Sequence, residues 1–432
     1  MADETLLLGR TLAFASDPFE GTPERSATVE ARGGVLLRGG RIAAVGGGAA
    51  LRAAHPGAAV EDLGEALILP GFVDCHAHYP QTAIVASWGR RLIDWLNGYT
   101  FPEELRFAEP AYARAQAELY LDLILANGTT TACVYATVHP QSAEAIFAAA
   151  EARGLRLIAG KVMMDRNAPE GLTDTAERGA EESAALIARW HGRGRLSYAI
   201  TPRFAPTSSP AQLAAAGALR AAHPDCLVQT HLSEQPEEIA WVAELFPDAP
   251  DYLGVYERFG LAGPGAIMGH AIHLTPRERA ALAETGSGIA HCPTSNTFIG
   301  SGLCDVRGLV EGGAKVGLAT DTGGGSSFSM LRTMAAAYEV SQLRGAPLHP
   351  AELLWLATEG SARALGLEGV VGRLEAGAEA DVIALDPAAT PVLAQRTARA
   401  EDVWDQIFAA QMLGDDRCVS GVWVAGRRVK GG

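Results

Sequence analysis

Eight short apolar runs, each closing on polar residues and separated from the next by Ala- and Leu-rich stretches, constrain this chain more than any other feature. They are ALILPGFVDCHAH (66–78), TTTACVYATVH (129–139), LRLIAGKVMMD (155–165), LSYAITPRFAP (196–206), CLVQTHLSE (226–234), AIMGHAIHL (266–274), GSGIAHCPTSN (286–296) and KVGLATDTGGG (315–325). Runs of this length are buried strands, and intervening stretches such as PAYARAQAELYLDLILANG (110–128) read as helices, so the pattern is that of repeated βα units. Eight units predict a (β/α)8 barrel of the TIM type. An open doubly wound sheet is the alternative, but no G-x-G-x-x-G follows the first run and every polar cluster sits at a strand's C-terminal end.

Both ends of the chain have a different texture. TLLLGRTLAF (5–14) and GGVLLRGGRIAAVG (33–46) near the start, and GRLEAGAEADVIALDP (372–387) and CVSGVWVAGRRVKGG (418–432) near the end, are glycine-punctuated strand patterns. They predict one small composite β-sandwich domain built from residues 1–67 and 368–432, with the barrel between them at 68–367. The long interval between His78 and the second run predicts an insertion or lid.

Hydrophobic residues make up 48% and charged residues 20%, ordinary globular usage rather than that of a disordered chain. A formal net charge of −15 repels a phosphate backbone, which argues against nucleic acid and for a small molecule as partner. The six cysteines are dispersed without a C-x-x-C and read as reduced, buried thiols. With no apolar run of membrane-spanning length and no basic segment opening a signal peptide, a cytoplasmic location without membrane association is expected.

The strand ends carry the chemistry. His76 and His78 stand two apart in a strand, so both imidazoles face one side and can reach one ion. His231, His270 and Asp321 close later runs. Singly, each has an ordinary structural explanation, since a strand-end Asp often caps the next helix and a lone His is often just hydrogen-bonded. Five metal-competent groups at one barrel mouth do not.

PGFVDCHAH, THLSE, GHAIHL and TDTGGG, in that order, resemble the strand-end motifs of the amidohydrolase superfamily of metal-dependent hydrolases across nearly the whole barrel. The resemblance implies that His76, His78, His231 and Asp321 hold one divalent ion, while His270 either ligates it or hydrogen-bonds its water. The fourth run holds no lysine to become a carboxylated bridge, and Lys161 precedes the end of the third, so one ion per chain is expected. Zinc suits the donor set, with iron or manganese as alternatives. Metal-activated hydroxide would be the nucleophile, with Asp321 taking the water's proton and Glu234 protonating a ring nitrogen and then the departing amine. The unrelated zinc deaminase signature, H-x-E with P-C-x-x-C, does not occur.

HYPQTAIVASWGRRLIDWLNGYTFPEE (78–104), KVMMDRNAPE (161–170), YAITPRFAPTSSP (198–210) and HCPTSNTFIGSGL (291–303) together resemble the guanine deaminase family. The resemblance implies a guanine substrate, hydrolysed to xanthine and ammonia, and a homodimer. The planar fork of Arg203 suits the keto oxygen and N7, and the Gln81 amide suits the keto oxygen and adjacent ring N–H. Phe204, Trp88 and Trp95 are candidates to cover the purine faces. The sixth strand reads GHAIH where a cysteine often follows the first histidine, and GGGSSF varies the eighth loop, which leaves other aminopurines, pterins and triazines as possible relatives of the substrate. A metal-free scaffold and a cytosine or S-adenosylhomocysteine-type deaminase are the rival readings.

Overall fold

The computed structural model describes residues 4–88 and 91–431. Two sheets organise it. Seven strands, β1 (Glu4–Phe14), β2 (Ala27–Arg38), β3 (Arg41–Gly47), β4 (Ala59–Pro70), β14 (Val382–Leu385), β15 (Val419–Val424) and β16 (Arg427–Lys430), pair in the order β16-β15-β14-β4-β1-β2-β3. Both termini therefore share one sheet, joined where β14 runs antiparallel to β4 with Val382 opposite Pro70. β4 continues in this sheet to Pro70, three residues past the expected junction at Leu67.

The second sheet is parallel and nearly closed. Its strands are β5 (Phe72–His78), β6 (Thr129–Tyr135), β7 (Arg156–Gly160), β9 (Leu196–Pro202), β10 (Leu227–Leu232), β11 (Ala266–His270), β12 (Gly288–His291) and β13 (Lys315–Leu318), with the two-residue β8 (Val162–Met163) pairing β9. These are the eight apolar runs in sequence order. They read as continuous rather than alternating because helices cover the barrel's outside while a small inner cluster fills its lumen, so both faces of each strand are buried. The residues just past the end of β13 close the ring onto the last residues of β5 through Asp321 N–H to His76 O (2.9 Å) and His78 N–H to Thr322 O (3.3 Å).

A local irregularity aims the first histidines. Val73 and Cys75 belong to the inner cluster, but the β5–β6 ladder slips between Asp74 and Ala77. Such a bulge re-aims a strand's side chains, and beyond it His76 and His78 turn into the barrel mouth. At the opposite end of the barrel, Arg195 donates to both Glu379 and Asp381 while Arg156 pairs with Glu379 (2.5 Å), clamping the β13–β14 connection onto β7 and the loop before β9. All six cysteines are buried and free. Among the described residues no helix is long and apolar enough to cross a membrane.

Candidate active site

Four of the five candidate ligands converge tightly. His78 Nε2 lies 3.2 Å from both His76 Nε2 and His231 Nε2, and Asp321 Oδ1 lies 3.3 Å from His76 Nε2 and 3.5 Å from His78 Nε2. Donors about 2.0–2.2 Å from a tetrahedral ion stand about 3.3–3.6 Å apart, so these spacings suit a single small cation. Protonation agrees. His231 Nδ1 faces the Arg203 carbonyl at 2.7 Å, and a carbonyl only accepts, so Nδ1 bears the proton and Nε2 presents a bare lone pair. Burial, followed by the neighbouring histidines and Arg203, depresses the basicity of His78 and His231 well below the ordinary imidazole value, keeping them neutral as ligands must be. Three lone pairs held against a carboxylate in a buried pocket fit a cation that offsets their mutual repulsion.

His270 stands slightly apart, its Nε2 3.4 Å from Glu234 Oε2 and 3.9 Å from Asp321 Oδ2. Its Nδ1 contacts Asn296 Oδ1 at 2.8 Å. Burial lowers its basicity, but Glu234 and Asp321 outweigh this and leave it raised. Asp321 is also buried, yet hydrogen bonding and charge from His76, with His270 and Ser295, hold its carboxyl at about 2. It is thus an ionised proton acceptor. His270 and Asp321 both adopt left-handed backbone, φ 70° and 47°, strain that surrounding structure must sustain and that concentrates at functional sites. Gly269 is required beside them, since a Cβ there would lie 2.8 Å from the His76 ring. Cys292 also lies among possible donors, but burial pushes its thiol far up, and it donates to Ala290 O instead.

Glu234 occupies the next position outward. It does not serve the helix Pro236–Leu245, whose backbone cap is supplied by Glu238. Instead Glu234 faces the cavity, its Oε1 accepting from Ser301 (2.8 Å). Burial raises its carboxyl to about 7, the neighbouring His270 opposing. Asp321 likewise caps no helix, since Ser329 takes that position for Met330–Leu343.

A cavity of about 420 Å³ connects these groups to Gln81, Arg203 and Phe204. Leu92, Trp95, Leu96 and Ile299 supply apolar walls around it. The expected insertion is present as short helical turns over Tyr79–Ile84 and then from Leu92 to Ala108, followed by the helix Pro110–Ala126. Trp88 corrects the sequence reading: it is 83% exposed and does not line the cavity, whereas Trp95 is 2% exposed and does. The reason is local, because the turn Leu92–Trp95 buries its first and last residues while Trp88 precedes it in solvent. Lys161 is buried away from the cavity, paired with Asp174 (2.5 Å) and Glu182 (3.3 Å).

Sequence reading missed Glu104. It comes from the helix Phe101–Leu105, is wholly buried, and accepts from Arg203 Nη1 with both oxygens (3.0 and 2.8 Å) and from Gln81 Nε2 (3.1 Å). One N–H of the Gln81 amide is thus directed to Glu104 rather than to the cavity. Nothing in FPEEL distinguishes this carboxylate from a solvent-facing one. Ser295, Asn296 and Ser301 were also unassigned, although they lie in the quoted segment HCPTSNTFIGSGL.

The model of the amidohydrolase family matches residues 67–429. Guanine deaminase of Escherichia coli (strain K12) is 48% identical over 370 residues, covering 86% of this chain and 84% of that protein. The solved E. coli guanine deaminase superposes with a TM-score of 0.96 at 43% identity, covering 99% of both chains. Guanine deaminase from C. acetobutylicum, solved with guanine in its active site, superposes at 0.90 with 28% identity over 99% of this chain and 100% of that one. The barrel, its converging histidines and these likenesses together place the chain in the amidohydrolase family, among the guanine deaminases.

Proposed function

We propose that this chain hydrolyses guanine to xanthine and ammonia. The observation that carries the reading is a single cavity with a cation-suited cluster and a proton carrier on one wall, and a donor–acceptor pair, Arg203 and Gln81, on another. His76, His78, His231 and Asp321 would hold one zinc ion, with iron or manganese as substitutes, and the bound cation supplies the Lewis acidity that makes water nucleophilic near neutral pH.

The chain's own residues do the rest. Asp321, ionised at neutral pH, accepts a proton from the attacking water. Glu234 donates its proton to N3 as C2 becomes tetrahedral. The emptied carboxylate then relays the remaining hydroxyl proton to the amine, which leaves as ammonia as the C2–N bond breaks and C2=O forms, and the proton held by Asp321 returns to Glu234. His270, between Glu234 and Asp321, orients both carboxylates. Arg203 binds the acceptor edge carrying the keto oxygen, while Phe204 and Trp95 cover the ring and exclude water. A homodimer in the cytoplasm, without nucleic-acid or membrane partners, completes the proposal.

Ammonia release from guanine, adenine, cytosine, isocytosine and ammeline by metal-replete protein tests it. Guanine should lead the panel. A lead for cytosine would mark a pyrimidine deaminase, and no release from any member a non-catalytic scaffold.

A further inference from the structure

Glu104 touches neither the cation cluster nor the cavity, yet it joins the two side chains that face the substrate. Its position answers two questions that Gln81 and Arg203 leave open on their own. An amide side chain presents either its donor or its acceptor depending on a half-turn about one bond, and its partners decide which. The partner here is a carboxylate held against a guanidinium. Such a carboxylate only accepts, so the amide nitrogen of Gln81 must face Glu104 and the oxygen must face away. Gly323 makes room for that orientation: a Cβ at this position would lie 2.0 Å from Gln81 Oε1, and its φ of 116° is strained for any residue bearing one.

Arg203 is fixed by the same group. Both oxygens of Glu104 engage Nη1 alone, and the Phe101 ring lies 5.8 Å from the guanidinium carbon. Among the described residues Nε and Nη2 of Arg203 make no hydrogen bond, so the three N–H groups on these two nitrogens remain for a ligand. The cavity wall thus offers an acceptor from Gln81 beside donors from Arg203. That set is complementary to a ring lactam, an N–H next to a C=O, and mismatched to an amidine edge in which the ring nitrogen is bare and the exocyclic group is an amine.

We infer that Glu104 is a positioning residue that sets the enzyme's preference for a 6-oxo over a 6-amino purine, by locking the Gln81 amide as acceptor and Arg203 as donor. This rests on the guanine reading above. Restraining both groups before substrate arrives matters because a site built to hydrogen-bond a particular edge rejects the wrong one through its own unpaired groups.

The test compares guanine with 2,6-diaminopurine, which carries the same reacting 2-amino group and differs at the lactam edge alone. kcat/KM is measured for both, the second purine also being read as a Ki against guanine turnover, with metal content followed in parallel. In Glu104→Gln, whose amide no longer dictates the orientation of Gln81, guanine kcat/KM should fall about 10–100-fold. Affinity for 2,6-diaminopurine should hold or rise, compressing the discrimination at least tenfold with metal unchanged. Glu104→Asp keeps the charge on a shorter stem and should shift the ratio in the same direction by less; it also answers the question if the Gln variant does not fold. Combining Glu104→Gln with Gln81→Ala should add little to the loss of discrimination caused by Gln81→Ala. Equal losses for both purines, with the ratio intact, would overturn the inference and leave Glu104 a packing residue. Wild-type protein inert towards guanine would instead overturn the functional reading.

Discussion

Glu234 Oε2 stands 3.4 Å from His270 Nε2 while Glu234 Oε1 accepts from Ser301, whose hydroxyl in turn accepts from Gln235 Nε2 at 3.0 Å. The carboxyl is therefore held at both oxygens and cannot swing out of the cavity.

From this relationship, Glu234→Gln should retain its metal and bind purine while turnover falls about 10²–10⁴-fold, the usual worth of proton transfer by a positioned group. Burial raises this carboxyl to about 7, so below that pH it is protonated and able to donate. As pH rises through about 7 the donor is lost, and kcat/KM of the wild type should decline. The Gln variant should lack that decline. A pH–rate profile of both proteins checks the assignment, and identical limbs in the two would refute it.

Metal content should be about one ion per chain, because the clustered donors surround one point and Lys161 is committed to Asp174 and Glu182. Chelation should abolish activity and lower the melting temperature, since a ligand bound only to the folded state stabilises it. His76→Ala and His231→Ala should lose metal and activity together. Elemental analysis giving two tightly bound ions would contradict the single site.

Arg203→Ala should keep the metal and lower kcat/KM for guanine, but it should also destabilise the protein, because Glu104 is left as a buried, uncompensated charge. Breaking a buried pair in this way costs about 3–5 kcal/mol. Arg203→Lys restores the charge without the planar two-donor fork, so it should recover most of the stability and only part of the activity. Melting curves beside steady-state kinetics separate the two effects, and an Ala variant with unchanged guanine kinetics would exclude Arg203 from recognition.

Stability away from the site should depend on Arg195, which bridges Glu379 and the buried Asp381. Arg195→Met strands Asp381, at a cost of about 3–5 kcal/mol, or about 3–5 °C in melting temperature for a chain of this size. Activity per folded molecule should be unchanged. A shift below one degree would show that water reaches the network and screens it.

Sequence by itself determined the barrel, because apolar runs and amphipathic stretches report burial directly, and it determined the donor inventory, because polar groups closing parallel strands in a barrel must meet at one mouth. His76, His78, His231, His270 and Asp321 were legible for that reason. What lay beyond it depended on side-chain direction. The slip in β5 that turns His76 inward is set by its pairing with the distant β6, while the capping by Glu238 that releases Glu234 for the cavity and the exposure of Trp88 beside the burial of Trp95 are matters of side-chain direction that the apolar pattern does not report. Glu104 is the clearest case. In FPEEL it is one acidic residue among others, and only the folding of the insertion against β9 places its carboxylate between Gln81 and Arg203, where their charge and donors make it indispensable. Local pattern encodes which groups are buried, whereas the partner of a buried charge is chosen by tertiary geometry.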